Sequence, residues 1–234
     1  MKYIIIIIIL IILLLSINSF EQYTNNIINF IHIPKNAGSS IRELCNNKLK
    51  YNGHSTNVFD PTLNNQLIIL RNPVERFISA VKYCLENSAI NSSKQNKTVK
   101  LLLKNNINTP DKFITIWKNK NHPQHKILME EIYNKSHKIG NKTIKYKWTY
   151  TPQAKWFNNP KYILIMDNLD EELKYICNTL NMSYNLKKKN TTSKQETHIS
   201  KENLEWINNF YKDDWILYNK YKQISFKNRI NLTF

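Results

Sequence analysis

Lys35, Gly38, Ser39 and Ser40 stand together in the stretch FIHIPKNAGSSIRELC, Phe30 to Cys45, directly after an apolar run. The whole chain has three glycines, so one placed here implies a backbone that takes a left-handed turn or comes close to something. Pro34 stops a strand ladder, and Ser39 and Ser40 can open a helix. Such a corner aims several backbone N–H groups and a helix N-terminus at one spot. A phosphate fits there, with Lys35 as a mobile cation beside it. The stretch is not the nucleoside-triphosphate loop G-x-x-x-x-G-K-[ST], because the lysine precedes the glycine and the first glycine is absent. On this stretch alone, a phosphate loop and an ordinary strand-turn-helix corner with a capping serine are both open.

The stretch LRNPVERFISAV, Leu70 to Val81, adds the second half of an anion site. Arg71 leaves the end of an apolar strand, which is where open α/β sheets bind ligands. Its guanidinium can hold a phosphate with two parallel hydrogen bonds, as a lysine cannot. Arg76, Ser79 and Tyr83 follow at helical spacing, opposite an apolar stripe of Phe77, Ala80, Val81 and Cys84.

The elements that must position these residues alternate strand and helix, which predicts an α/β fold with parallel strands. A strand over Ile27 to Ile33 leads into a helix over Ser40 to Leu49, with Ile41, Leu44, Cys45 and Leu49 on one face. A strand over Leu67 to Leu70 leads into a helix from Pro73, where Asn72 can cap and Glu75 completes an N-x-x-E box. A third strand, Tyr162 to Met166, precedes a helix carrying Leu169, Leu173, Ile176, Cys177 and Leu180. Phe113 to Lys118 and His125 to Tyr133 read as helical pieces of a polar middle. Leu186 to Ser200 reads as a basic loop, and Glu202 to Tyr221 as a final helix.

Residues 1–20, MKYIIIIIILIILLLSINSF, give a lysine, an unbroken apolar run and small polar residues. That is the pattern of a secretory signal or, extended through Phe20, of a short signal anchor. The chain is therefore expected in the secretory pathway, either as a single-pass protein of the Golgi or ER lumen or secreted. Residues 21–234 then fit one domain. Lys and Arg outnumber Asp and Glu 34 to 17, which attracts anionic ligands. The abundance of Ile, Asn and Lys makes that charge permissive rather than diagnostic. Cys45, Cys84 and Cys177 allow at most one intramolecular disulfide, and none lies in a metal-binding pattern, so no metal is expected. N-x-[ST] sequons begin at Asn91, Asn96, Asn134, Asn141, Asn181, Asn190 and Asn231, compatible with a glycoprotein.

IHIPKNAGSSI together with LRNPVERFISAV resembles the paired cofactor motifs of the membrane-associated carbohydrate sulfotransferases, the group that sulfates heparan, chondroitin and dermatan chains. TYTPQAKWF (Thr149 to Phe157), YILIMDNLDEEL (Tyr162 to Leu173), NTTSK (Asn190 to Lys194) and LEWINNFYKDDWILY (Leu204 to Tyr218) are also similar, whereas Asn87 to Tyr146 matches no motif of the group. The resemblance implies a three-layer, P-loop-kinase-like fold around a mostly parallel sheet. It also implies sulfuryl transfer from 3′-phosphoadenosine 5′-phosphosulfate to a glycan hydroxyl, with no metal. By position, Lys35 would stabilise the leaving phosphate, and Asn36, Ala37, Gly38, Ser39 and Ser40 would cradle the 5′-phosphate. Arg71 and Ser79 would hold the 3′-phosphate.

An alcohol acceptor also needs a base for its proton. His54, in YNGHST after Gly53, lies between the two motifs, in an interval where several members of the family carry a histidine taken as the base, and it is the favoured candidate. His122 and His125 are reserve candidates, His32 reads as a packed strand residue, and His137 and His198 as surface residues. Trp148, Pro152 and Gln153 could wall the sugar site or serve packing and a turn. Lys187, Lys188, Lys189 and Lys194 could grip an anionic glycan or the nucleotide or be solvated, and Lys194 is the one favoured for function. Asp213 and Asp214 resemble a structural motif. The expected partner is a glycan acceptor, which could be anionic, with no nucleic acid and with the apolar N-terminus as a membrane anchor. Two alternatives carry different expectations: a small-molecule kinase would need a triphosphate loop, and a non-catalytic glycan-binding protein would lack a base.

Overall fold

The computed structural model describes residues 27–54, 58–60, 62–91, 95–133, 137–139, 142–186 and 197–231. The chain begins with β1 (Ile28–Ile31), α1 (Gly38–Ile41), β2 (Leu49–Asn52), β3 (Gln66–Leu70) and the long α2 (Pro73–Asn91). Next come α3 (Gln95–Lys104), α4 (Pro110–Lys118) and α5 (His125–Ile132), then an antiparallel hairpin of β4 (His137–Ile139) and β5 (Lys142–Ile144). A 3₁₀ turn over Gln153–Trp156 leads to β6 (Tyr162–Ile165) and α6 (Leu169–Thr179), and α7 (Lys201–Phe210), α8 (Lys212–Gln223) and α9 (Phe226–Asn231) close the chain.

The central sheet has the order β2-β1-β3-β6 and is parallel at each pairing. Its strands β3 and β6 are apolar on both faces, as parallel strands covered by helices must be, whereas the edge strand β2 carries the exposed Lys50. Phe30, Leu67, Ile69 and Leu164 pack with Ile41, Leu44, Leu173, Ile176 and Cys177 on one side. Their strand neighbours Ile31, Ile68, Leu70, Ile163 and Ile165 pack with Trp156, Tyr218 and Tyr221 on the other. The fold is therefore the expected α/β architecture with helices flanking a parallel sheet. A separate cluster around Phe77, Phe113, Trp117, Tyr150 and Tyr211 binds α2, α4 and α7 together.

Asn72 caps α2 as expected, its Oδ1 accepting from the N–H of Val74 at 3.0 Å and of Glu75 at 3.2 Å. The Glu75 carboxylate lies 3.7 Å from Arg71 Nε, forming an i,i+4 ion pair.

Three element expectations need correction. The helix over Ser40 to Leu49 is a single turn, because Asn46 Oδ1 accepts from the N–H groups of Lys48 and Leu49. That side-chain turn launches β2, where Leu49 pairs with Ile28. The final helix divides at Tyr211, whose hydroxyl donates to the Tyr150 carbonyl at 2.8 Å. Beyond it, α9 was not expected; Arg229 fixes it by an ion pair with Glu172, both only 3% exposed, and by a bond to the Ile163 carbonyl.

The three cysteines are free thiols. The apolar segment 1–20 lies outside the described residues, among which no helix is long and apolar enough to cross a membrane.

Candidate active site

The first motif turns over the C-terminal edge of β1. Two residues take left-handed backbone conformations there, Lys35 at φ 69° and Ala37 at φ 57°, which folds successive N–H groups into a concave nest. Gly38 itself begins α1, so of the two roles open to it the close approach is the real one. A Cβ on Gly38 would stand 1.8 Å from both Cδ2 and Nε2 of His32. Within the loop, the Asn36 N–H is used by the Ile33 carbonyl, and the Ser40 and Ile41 N–H groups by Ala37. The N–H groups of Ala37, Gly38 and Ser39 have no acceptor among the described residues. Since α1 is one turn long, these three donors and Lys35 are the groups available to attract an anion, with little help from a helix dipole.

The second motif meets the first directly. Arg71 Nη1 donates to the Lys35 carbonyl at 3.1 Å, so the two cations share one rim. Lys35 Nζ sits 4.1 Å from the centre of the Tyr83 ring on α2. Burial lowers the Lys35 pKa to about 8, and repulsion by Arg71 adds to it. Ser79 is buried one turn before Tyr83, on the same face of α2. Arg76, expected opposite the apolar stripe beside them, is instead fully buried. It donates to the Thr151 carbonyl, and its guanidinium lies 5.7 Å from the Tyr211 ring. Helix α2 is covered on more than one face by α4, α7 and the segment after β5, so a polar position on it is not a solvent position.

Behind the rim lies a network of fixed amides. The Asn36 side chain is 1% exposed and donates inward, to the Ile69 carbonyl at 2.6 Å and to Gln153 Oε1 at 3.0 Å. Of the cradle residues, Asn36 therefore offers neither its N–H nor its amide donors to the loop mouth. Gln153 is fully buried, with Oε1 accepting from the Arg71 N–H at 3.2 Å and Nε2 donating to the Arg71 carbonyl at 2.8 Å. Asp214 accepts from the N–H groups of Gln153 and Ala154, each at 2.9 Å, and so caps the 3₁₀ turn. Burial pushes the Asp214 carboxyl up to about 6, opposed by the Arg76 charge and those two N–H bonds.

His54 stands one ring away from the loop. Its imidazole lies 4.0 Å from that of His32, whose ring fills the space left by Gly38, and 5.0 Å from Trp148. His54 Nδ1 is 2.8 Å from the His32 carbonyl. A carbonyl can only accept, so Nδ1 carries the proton and Nε2 is left with a lone pair, the form a general base requires. Burial lowers the His54 pKa below the ordinary histidine value, and the bond to the His32 carbonyl opposes that shift. The Trp156 indole holds the His54 carbonyl at 3.1 Å. His32 is bonded through Nδ1 to the Tyr51 hydroxyl, and burial, aided by the nearby His54, Lys35 and Arg42 charges, lowers its pKa to about 3.

The structure thus brings together Lys35, Ala37, Gly38, Ser39, Arg71 and His54, with Trp148 half-buried beside the histidine. His122 and His125 sit elsewhere, at the corner between α4 and α5, where they bond to the Gln124 N–H and the Ile116 carbonyl. His198 is exposed. Lys187, Lys188, Lys189 and Lys194 lie outside the described residues, as does the side chain of His137. Neither Asp214 nor Arg76 is among the expected site residues: Arg76 appears in the sequence only as a polar position of the second motif, and Asp214 only as half of an acidic pair in the first turn of α8.

The parallel α/β sheet carries a loop with three N–H groups unbonded among the described residues after its first strand, Arg71 on the same rim and His54 one ring away, an arrangement suited to group transfer from an anionic donor. The model of the sulfotransferase family matches residues 10–222, and the chain belongs to that family. No curated protein and no solved structure gives a significant match.

Proposed function

We propose that the protein transfers a sulfuryl group from 3′-phosphoadenosine 5′-phosphosulfate to a glycan hydroxyl. The observation that carries the assignment is His54, a neutral imidazole with Nε2 unprotonated, held one ring away from the Lys35 to Ser39 anion loop. The loop N–H groups and Lys35 bind the 5′-phosphosulfate, while Arg71 and Ser79 bind the 3′-phosphate. His54 Nε2 takes the acceptor proton as the acceptor oxygen bonds to sulfur. The bond from sulfur to the bridging oxygen breaks in line, and adenosine 3′,5′-bisphosphate leaves with its new charge beside protonated Lys35. Trp148, next to His54, offers an aromatic face to the sugar.

The apolar N-terminus supports a place in the secretory pathway, Golgi or ER lumen, as a signal or membrane anchor. Exposed Asn181 of the N-x-[ST] set is open to glycosylation there. The basic charge, +17, suits an anionic glycan.

Calorimetric titration with adenosine 3′,5′-bisphosphate and with ATP, followed by incubation with sulfate-labelled donor and a glycan panel, tests the assignment. Tighter bisphosphate binding and labelled glycan are expected. Preference for ATP would point to a kinase, and donor binding without transfer to a binding protein.

A further inference from the structure

Two phosphate motifs that serve one nucleotide must be held at a fixed separation, yet in sequence they are far apart and on different strands. A closed ring of bonds joins them: Arg71 Nη1 to the Lys35 carbonyl, Asn36 Nδ2 to Gln153 Oε1, and the Gln153 amide to both the N–H and the carbonyl of Arg71. Gln153 thus pairs with the Arg71 backbone as a neighbouring strand would, while Asn36 ties the first loop to the same amide oxygen. The amide is aimed by the backbone that carries it, since Asp214 fixes the Gln153 and Ala154 N–H groups. Three residues on, Trp156 of the same turn holds the His54 carbonyl.

We propose that Gln153 is a positioning residue that sets the spacing of the 5′- and 3′-phosphate sites and so determines selectivity for a 3′-phosphorylated nucleotide. Its side chain is fully buried with both ends of the amide bonded to protein, so it acts through Arg71 and Asn36 and does not touch the sugar. The reading of Gln153 as a wall of the sugar site gives way to this one. The inference rests on the nucleotide proposed above as donor.

A rigid frame favours a ligand that engages both ends at once, because the second contact then costs little further ordering. Each end alone needs no correct spacing. The test is titration of the whole protein and of Gln153→Met, a substitution of similar volume without hydrogen bonds, with adenosine 5′-phosphate, adenosine 3′-phosphate and adenosine 3′,5′-bisphosphate. The variant should lose affinity for the bisphosphate by about tenfold or more. Affinities for the two monophosphates should change by less than about threefold.

Equal loss for all three ligands, or an unchanged bisphosphate affinity, would overturn the inference. Gln153→Glu supplies a second arm should the methionine variant misfold. Ionised, it keeps the acceptor for Arg71 N–H and Asn36 but has no proton to donate to the Arg71 carbonyl, and titrated at a pH where it is ionised it should show the same selective loss. A wild-type protein with no preference for the bisphosphate over adenosine 5′-phosphate would instead refute the donor assignment itself, so the two failures are distinguishable.

Discussion

Replacing Gly38 by alanine sets a single methyl group against one side chain. A Cβ there stands 1.8 Å from Cδ2 and Nε2 of His32 and 2.5 Å from Cε1, where carbon contacts normally lie at about 3.5–4.0 Å. The imidazole cannot swing aside cheaply: it is 8% exposed, bonded to Tyr51 and packed against the His54 ring with centres 4.0 Å apart. Overpacking of this kind costs roughly 1–3 kcal/mol, and loss of the Tyr51 bond adds about 1 kcal/mol. Gly38→Ala should therefore destabilise the protein by about 2–4 kcal/mol, which lowers the Tm by about 10 °C for a chain of this size.

The sign should reverse once the obstacle is gone. In a His32→Ala background the added methyl enters the vacated space, and a helical Gly→Ala change stabilises by about 0.4–1 kcal/mol through the unfolded chain. Urea unfolding of the wild type, both single variants and the double variant measures this cycle, with m-values checked for constancy. A Gly38→Ala cost that is the same with and without His32 would refute close approach as the reason for this glycine.

The pH profile of kcat/KM should be bell-shaped in the free enzyme. Its acid limb belongs to His54, which must be neutral, and falls below the ordinary histidine value because burial lowers its pKa. Its alkaline limb lies near pH 8, where Lys35 loses its proton; donor binding favours the charged lysine, so the limb in kcat should move higher. Lys35→Ala should lower kcat by about 10²–10³ by removing charge at the leaving group. Glu172→Ala should strand Arg229 in the core and cost about 3–5 kcal/mol, read as a lower urea midpoint.

Much of the scaffold was legible because its signals are local. Asn72 and Pro73 announce α2, and the apolar strands announce a covered parallel sheet. Leu49 misled because its spacing from Ile41 suits a helix, whereas Asn46 turns the chain and hands Leu49 to a strand. Arg76 misled for a different reason. Helical spacing says which residues share a face, and it does not say that the other face meets water; here that face meets Thr151, Tyr211 and Asp214. Lys35, Gly38 and Arg71 stand out from their motifs, and His54 from the interval between them. The bonds of Gln153 have no such signal, since its partners are backbone groups at Arg71 and a side chain at Asn36, distant in sequence and without a pattern of their own.

Single-turnover transfer of labelled sulfate by wild-type protein and by His54→Ala tests the central claim most directly. With the donor bound and a glycan acceptor supplied, the wild type should form labelled product, and the variant should be slower by about 10²–10⁴. The affinity of the variant for adenosine 3′,5′-bisphosphate should be nearly unchanged. Transfer at the wild-type rate by His54→Ala would contradict the assignment of this histidine as the base, and absence of labelled product from the wild type with every glycan offered would contradict glycan sulfation itself.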